Sequence, residues 1–294
     1  MELEIDRDDR DTARQVPVER PRNEPPAREE PALSRDHALF RVRGSLYRLS
    51  PAEVQTMYDV GRFRTVAIED LVRHRYRADL REMRRDLRSL REQGLVQGRT
   101  VWAGPRSKAL GVIVLTKLGK ELLDRHGSMQ GDEPSNQQDR QTFHAGFVKP
   151  GEVVHDAAIY RMYQAERQRI EADGGRIRRV VLDYELKRRV YTPLAKAKAL
   201  APAEYAKRQQ EVARQNDLKV INGKIPLPDL RIEYETREQE LTRVDLELAT
   251  GHYHSPALKA KAEAGFKFYV ADGSGARLAR VLEERDITVA ILSL

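Results

Sequence analysis

The chain has 294 residues, 34% of them charged and only 6% aromatic, with a formal net charge of +7; the length suits two ordinary domains and allows a sizeable core. With no cysteine, disulfides, thiolate catalysis and cysteine-ligated zinc are excluded, which fits a reducing cytoplasm. No apolar run approaches the roughly 18 residues that span a bilayer, and the acidic N-terminus lacks the apolar stretch of a secretory signal, so no membrane partner is expected.

The charge is unevenly spread. Residues 1–36 hold 11 Asp/Glu and 7 Arg, a net of −4, which leaves +11 on the other 258 residues. The segment VPVERPRNEPPAREEPALS has too few large apolar side chains to offset the cost of ordering it, so residues 1–36 read as a disordered tail. A basic body favours polyanionic partners, because each neutralised phosphate releases a counterion.

Residues 37–127 read as the first domain. Ser50-Pro51-Ala52-Glu53 is a helix start, with a Ser cap, Pro at the first helical position and an acid in the first turn; Gly61 is expected to end that helix. A short helix follows near Val66–His74. A third runs from about Ala78 to Gln93, where Leu80, Met83, Leu87 and Leu90 form one apolar stripe and Gly94 closes it. Two extended stretches then flank Gly104-Pro105 as a hairpin, and a last helix covers Thr116–His126. A hairpin after a third helix is a wing.

The non-core face of the third helix presents Arg77, Arg81, Arg84, Arg85, Arg88 and Arg91. Guanidinium groups on one face suit a helix in the major groove, where arginine bonds guanine edges or phosphates. Arg99, Arg106 and Lys108 in the wing are expected to reach the flanking backbone. The competing reading is a solvated face with ion pairs to Glu82, Asp86 and Glu92. Trp102 in the wing is expected in core packing. The order of elements and the skeleton DLRSLREQGLV followed by IVLTKLGKELL resemble winged-helix DNA-binding domains.

Residues 128–145, beginning SMQGDEPSNQQDRQ, are polar with Gly and Pro and read as an interdomain linker. Residues 146–294 form the second domain. A helix is expected over Gly151–Asp173 and a strand over Ile177–Tyr184. A charged helical stretch, Glu185–Asp217, is interrupted at Pro193 and Pro202. Strands at Pro228–Glu235 and Leu241–Ala249 follow, then a helix at Pro256–Ala264, a strand at Phe266–Ala271, a helix at Gly275–Arg285 and a strand at Ile287–Leu294. This is an α/β domain around a mixed sheet, so the whole chain is of mixed α+β and α/β class.

Its carboxylates are the candidate catalytic and metal-binding groups. Asp229 begins one strand. On the next, period-2 alternation puts Asp245 and Glu247 on one face and Val244, Leu246 and Leu248 on the other. If these strands pair, Asp229, Asp245 and Glu247 can converge to hold a hard cation, Mg²⁺ or Mn²⁺, that activates water for phosphodiester hydrolysis. The alternative is a polar strand face. His252 and His254 in Gly-His-Tyr-His fit loop polarity better than a metal site. His155-Asp156 opens the domain's first helix and either faces the carboxylates or serves structure.

The Pro228-Asp229…Asp245-Leu246-Glu247 order resembles the PD-(D/E)XK nuclease superfamily. Within it, a winged helix followed by such a domain is similar to the replication-relaxation family of plasmids and other mobile elements. That resemblance implies a nuclease-like fold on a DNA-binding protein. It also requires a lysine two residues after the second acid, where Glu247 or Ala249 stands; Lys259 or Lys261 on the next helix are the substitutes within reach. The leading expectation is a cytoplasmic double-stranded DNA-binding protein of a bacterial mobile element with an inactive nuclease-like domain, Mg²⁺ or Mn²⁺ being the candidate cofactors. The alternatives are an active metal-dependent endonuclease and a winged-helix transcriptional regulator acting as a homodimer, with Glu185–Asp217 as a candidate interface.

Overall fold

A computed structural model describes residues 37–102, 109–126, 140–249, 255–270 and 291–293. The expected tail, the Gly104-Pro105 turn with Arg106 and Lys108, the pair His252 and His254, and the helix expected over 275–285 lie outside the described residues. The fold is mixed α+β, with three sheets among the described residues, and no helix there is long and apolar enough to cross a membrane.

The described chain opens with strands β1 (Ala38–Val42) and β2 (Ser45–Leu49), an antiparallel hairpin not among the elements expected from sequence. Arg43 and Gly44 make its turn, both with left-handed backbone at φ 49 and 83, as tight hairpin turns require. Phe40, Val42 and Leu49 enter the core. Helix α1 (Pro51–Arg62) follows. Its start is a capping box: Glu53 N donates to Ser50 Oγ at 3.2 Å, and Ser50 N donates to Glu53 Oε2 at 2.7 Å. Gly61 does not end α1. It lies inside the last turn because a Cβ there would stand 2.7 Å from Leu115 Cδ1 and 3.0 Å from Phe143 Cδ1.

Next come β3 (Val66–Ala67), α2 (Ile68–His74) and α3 (Leu80–Glu92). Met83, Leu87 and Leu90 are buried as the stripe predicts. Leu80 is not: it is 48% exposed, at the first turn of α3 where it lines a surface hollow with Arg81 and Arg84. Strands β4 (Val96–Trp102) and β5 (Ala109–Leu115) pair antiparallel, and β3 joins the outer side of β5. Helix α4 (Lys117–His126) closes the segment. Its LT-x-x-G skeleton has a steric cause. Thr116 Oγ1 accepts from Gly119 N at 3.0 Å, and Gly119 faces the Leu95 carbonyl so closely that a Cβ would collide with it. Trp102, expected in the core, is 68% exposed instead, at the end of β4 where its paired residue Ala109 is exposed as well.

After a 3-10 turn at Pro150–Glu152, helix α5 (Val153–Ala172) packs against a five-stranded sheet of β6 (Arg176–Leu182), β7 (Leu230–Glu235), β8 (Leu241–Ala249), β9 (Lys267–Val270) and β10 (Ile291–Ser293). The spatial order is β10-β9-β8-β7-β6. The β6–β7 and β7–β8 pairs are antiparallel, whereas β8–β9 and β9–β10 are parallel. Between β6 and β7 lie α6 (Asp183–Lys196) and α7 (Pro202–Gln215). The expected break at Pro193 is absent: α6 runs through it, and the chain turns at 197–201 before Pro202 opens α7. Helix α8 (Ser255–Ala264) makes the crossover from β8 to β9.

One apolar core serves both halves. Met57, Val60, Phe63, Leu87 and Leu115 from the first half belong to the same cluster as Tyr160, Tyr163, Leu230, Leu246 and Leu248 from the second. Ring contacts at 5.1 Å join Phe63 to both Tyr160 and Tyr163. The buried Arg62 guanidinium holds Asp59 at 2.5 Å and donates to Tyr163 Oη at 3.0 Å. The stretch 140–148, read from sequence as linker and domain start, is itself packed. Phe143 is buried, and Gln141 bonds the backbone of Val180 with both its amide atoms, as a strand neighbour would. Residues 36–294 cluster as one compact unit.

Candidate functional site

The arginine face is built by the α2–α3 junction. Arg77 and Ala78 both hold left-handed backbone, φ 47 and 69, a conformation costing a non-glycine residue about 1–2 kcal/mol. Ala78 N to Val72 O at 2.9 Å and Asp79 N to Tyr76 O at 2.7 Å fix this sharp turn. Asp79 then caps α3, its Oδ1 accepting from Glu82 N at 2.8 Å.

On α3, Arg81, Arg84, Arg85 and Arg88 are exposed and, with Leu80, line a hollow of about 400 Å³. Arg77 and Arg91 are exposed as well. The acids that would neutralise this face are mostly elsewhere. Asp86 is buried, facing the hydroxyl of Tyr76 and Arg85 Nε at 3.3 Å; Arg85 also meets Glu82 at 3.5 Å. Among the described residues Arg77, Arg81, Arg84 and Arg88 make no ion pair. Arg91 lies over β4, its guanidinium against Gly98 where any Cβ would meet it.

Arg99 does not join this surface. Its guanidinium stacks 4.2 Å over the Phe147 ring and donates to Val148 O at 3.0 Å. Phe147 comes from a distant part of the chain, so no local pattern marks this cation as having an internal partner. Arg106 and Lys108 lie outside the described residues.

The three candidate carboxylates divide. Arg231 and Asp245 are directly opposed on β7 and β8, and Arg231 Nε and Nη2 bond the two Asp245 oxygens at 2.7 and 2.9 Å. Asp245 therefore belongs to a structural ion pair. It borders a cleft of about 910 Å³ beside α7, whose lining includes neither Asp229 nor Glu247. Among the described residues no group of three or more His, Asp or Glu side chains is placed to hold a metal ion, so the expected three-carboxylate site does not form: Arg231 takes the third member.

Asp229 and Glu247 remain together where β7 begins and β8 ends. Asp229 Oδ2 accepts from Leu248 N at 3.0 Å. Lys261 and His155, both candidates from their place in the sequence, complete the cluster. Lys261 on α8 donates to Glu247 Oε1, and His155 on α5 places Nε2 3.5 Å from Asp229 Oδ2 and Nδ1 3.5 Å from Asp156 Oδ1. Asp156 faces Arg64 in turn, at 3.5 Å. Lys259, the other candidate, is exposed.

The electrostatics follow from burial and neighbours. Glu247 is fully buried, and desolvation, reinforced by the Asp229 charge, pushes its carboxyl up to about 8 despite Lys261. Its Oε2 has no hydrogen-bond partner among the described residues. Burial works to raise Asp229 too, but the His155 bond and charge, Lys261 and the Leu248 N–H outweigh it and leave it below the ordinary carboxylate value. The bonds to Asp156 and then Asp229 raise His155 to about 10 against its own burial. The result is a split pair of acids, one ionised and one holding its proton near neutrality, with a lysine and an imidazolium beside them.

Comparison with known protein families, curated proteins and solved structures finds no match to this chain.

Proposed function

We propose that this chain binds double-stranded DNA, with α1 through α4 and the β3–β5–β4 sheet acting as a winged helix whose α3 enters the major groove. The observation that carries the reading is the exposed row Arg81, Arg84 and Arg88, which lacks acidic partners among the described residues and stands on the third helix before a hairpin. Unpaired guanidinium groups on a rigid helix are organised for guanine edges and phosphates, and they keep that geometry because Met83, Leu87 and Leu90 anchor the opposite face. Selection of bound duplexes from a random pool, followed by dimethyl sulfate probing of guanine N7, tests this. The expected result is an enriched motif whose guanines are protected by the wild type and not by R84A/R88A. Retention of no duplex above background defeats it.

A second reading, metal-dependent phosphodiester hydrolysis by a PD-(D/E)XK-like domain, is favoured by Lys261. The α5–β6–β7–β8–α8–β9 order supports that fold, with Asp229 and Glu247 as its acids. Lys261 supplies from α8 the cation that β8 lacks, placed to stabilise negative charge developing on an attacked phosphate. The unpartnered Glu247 Oε2 beside Asp229 fits a hard divalent cation such as Mg²⁺ or Mn²⁺. When bound, such an ion provides an activated water near neutral pH. His155 holds Asp229 ionised and in place. Supercoiled plasmid incubated with protein and Mg²⁺ or Mn²⁺ is expected to be nicked by the wild type and left intact by D229A. Equal conversion by both proteins, or none by either, removes this reading and leaves DNA binding standing.

A further inference from the structure

The β1–β2 hairpin has one face in the core and one in solvent. Phe40, Val42 and Leu49 face inward. The register pairs Leu39 with Arg48 and Arg41 with Leu46, so these four side chains share the outer face. All four are exposed, Leu39 at 65% and Leu46 at 58%. Arg41 and Arg48 are diagonal neighbours across the two strands, and among the described residues neither guanidinium has an acidic partner. Two like charges this close repel, and an anion between them relieves that repulsion.

The hairpin is also continuous with α3. Gln93, at the C-terminal end of α3, donates from Nε2 to Arg48 O at 3.4 Å and to Ser89 Oγ at 3.1 Å. Arg91, on the opposite flank of α3, lies against Gly98 of β4. The helix is thus bordered by β4 along one flank, and its C-terminal end is tied to β2. His126 of α4 supports the hairpin from behind, its ring edge-on to Phe40 at 5.4 Å between centroids. Arg43 at the turn is tied to Glu121 of α4 at 2.7 Å, which fixes the hairpin's tip and leaves Arg41 and Arg48 as its free cations.

We infer that the β1–β2 hairpin is a second wing, in which Arg41 and Arg48 grip the phosphate backbone of duplex DNA on the side of α3 opposite the β4–β5 hairpin. The inference rests on the reading of α3 as the groove-binding helix. Its contribution is sequence-independent, since phosphates carry no base information, whereas the α3 arginines supply any base readout. Leu39 and Leu46 flank the two cations and lie against the sugar edges between the phosphates.

The test uses the full chain and a fluorescein-labelled 30-base-pair duplex of mixed sequence, with affinity measured by anisotropy across a salt series. Each phosphate contact adds about 0.9 to the slope of log affinity against log salt. R41A/R48A is expected to lower the slope by about 2 and to weaken binding equally for any duplex sequence, while R41K/R48K keeps most of the slope. Both positions are exposed, and an unchanged thermal melt verifies that the variants fold. An unchanged slope in R41A/R48A, with R84A/R88A weakened, overturns the second wing and leaves α3 intact. If R84A/R88A binds as well as the wild type, the α3 reading itself fails. If instead L39S/L46S changes the mass of the free protein by light scattering while the R41A/R48A slope stays at the wild-type value, the face is an interface between copies of the chain and the proposal is overturned.

Discussion

The Lys261 ammonium hydrogen-bonds Glu247 Oε1 although 14 residues separate them, one on α8 and the other on the strand before it. The strand places only Ala249 two residues beyond Glu247, and the helix returning antiparallel along the sheet brings its lysine to the same spot. Without Lys261 the buried Glu247 keeps its proton and loses one hydrogen-bond partner, at a cost of about 1–3 kcal/mol. Lys261→Met is expected to lower stability by that order at pH 8 and, on the hydrolytic reading, to abolish plasmid nicking. K261M/E247Q is expected to restore no nicking on that reading, and its stability gives the coupling between the two side chains. Urea denaturation of the four proteins of this cycle measures it.

The pH dependence of stability carries Glu247's signature. Its carboxyl stands near 8 in the fold against about 4.5 when solvated, so the fold favours the protonated form. That contribution is present in full below about 4.5 and is lost as pH rises through about 8. Glu247→Gln keeps a neutral side chain of the same shape at every pH. Its melting temperature is expected to match the wild type near pH 4, to exceed it increasingly as pH rises from about 4.5 to about 8, and to keep a constant lead above that. Parallel curves for the two proteins from pH 4 to 9 contradict the assignment.

Arg62 couples the halves. It is buried, bonded to Asp59 and to the Tyr163 hydroxyl, and stacked 4.9 Å over the Tyr58 and Tyr163 rings. Arg62→Leu leaves Asp59 with only the longer contact to Arg75 Nε at 3.9 Å and is expected to cost about 3 kcal/mol. Because Phe63, Tyr160 and Tyr163 lie in one core, the wild type is expected to unfold in a single transition by near-ultraviolet and far-ultraviolet circular dichroism. Two separated transitions contradict a shared core.

Arg99 and Arg84 give opposite outcomes on substitution. Arg99→Ala removes the contact to Phe147 and the bond to Val148 O; stability is expected to fall by about 1–2 kcal/mol, with duplex affinity unchanged within twofold. Arg84→Ala is expected to leave stability unchanged and weaken the duplex at least tenfold, the scale of one good base or phosphate contact. Thermal melts and anisotropy on the same two variants separate the roles.

What the sequence made legible was local. The apolar period of α3, the cap at Ser50 and the alternation of Val244 to Leu248 each depend on near neighbours, and the structure holds those elements within a few residues of their expected bounds. What it hid was long-range. Arg231 follows Asp229 by two residues, yet its claim on Asp245 appears only once the β7–β8 register is known. Phe147 covers Arg99 from nearly fifty residues away. The β1–β2 hairpin had a readable signal in Arg43-Gly44 between two alternating stretches, but its short strands sit beside the polar tail composition that masked them. The shared core has no local sign, since the polar composition of 128–141 reads as a boundary while Gln141 and Phe143 are tied into the packed body.

The central claim is that α3 holds duplex DNA through its arginine face, and anisotropy titration of R81A/R84A/R88A against the wild type tests it most directly. With a labelled duplex at low salt, loss of three charged contacts worth about 1–3 kcal/mol each predicts an affinity at least about a hundredfold weaker, with an unchanged melting temperature. Equal affinity of the two proteins for the duplex contradicts the account.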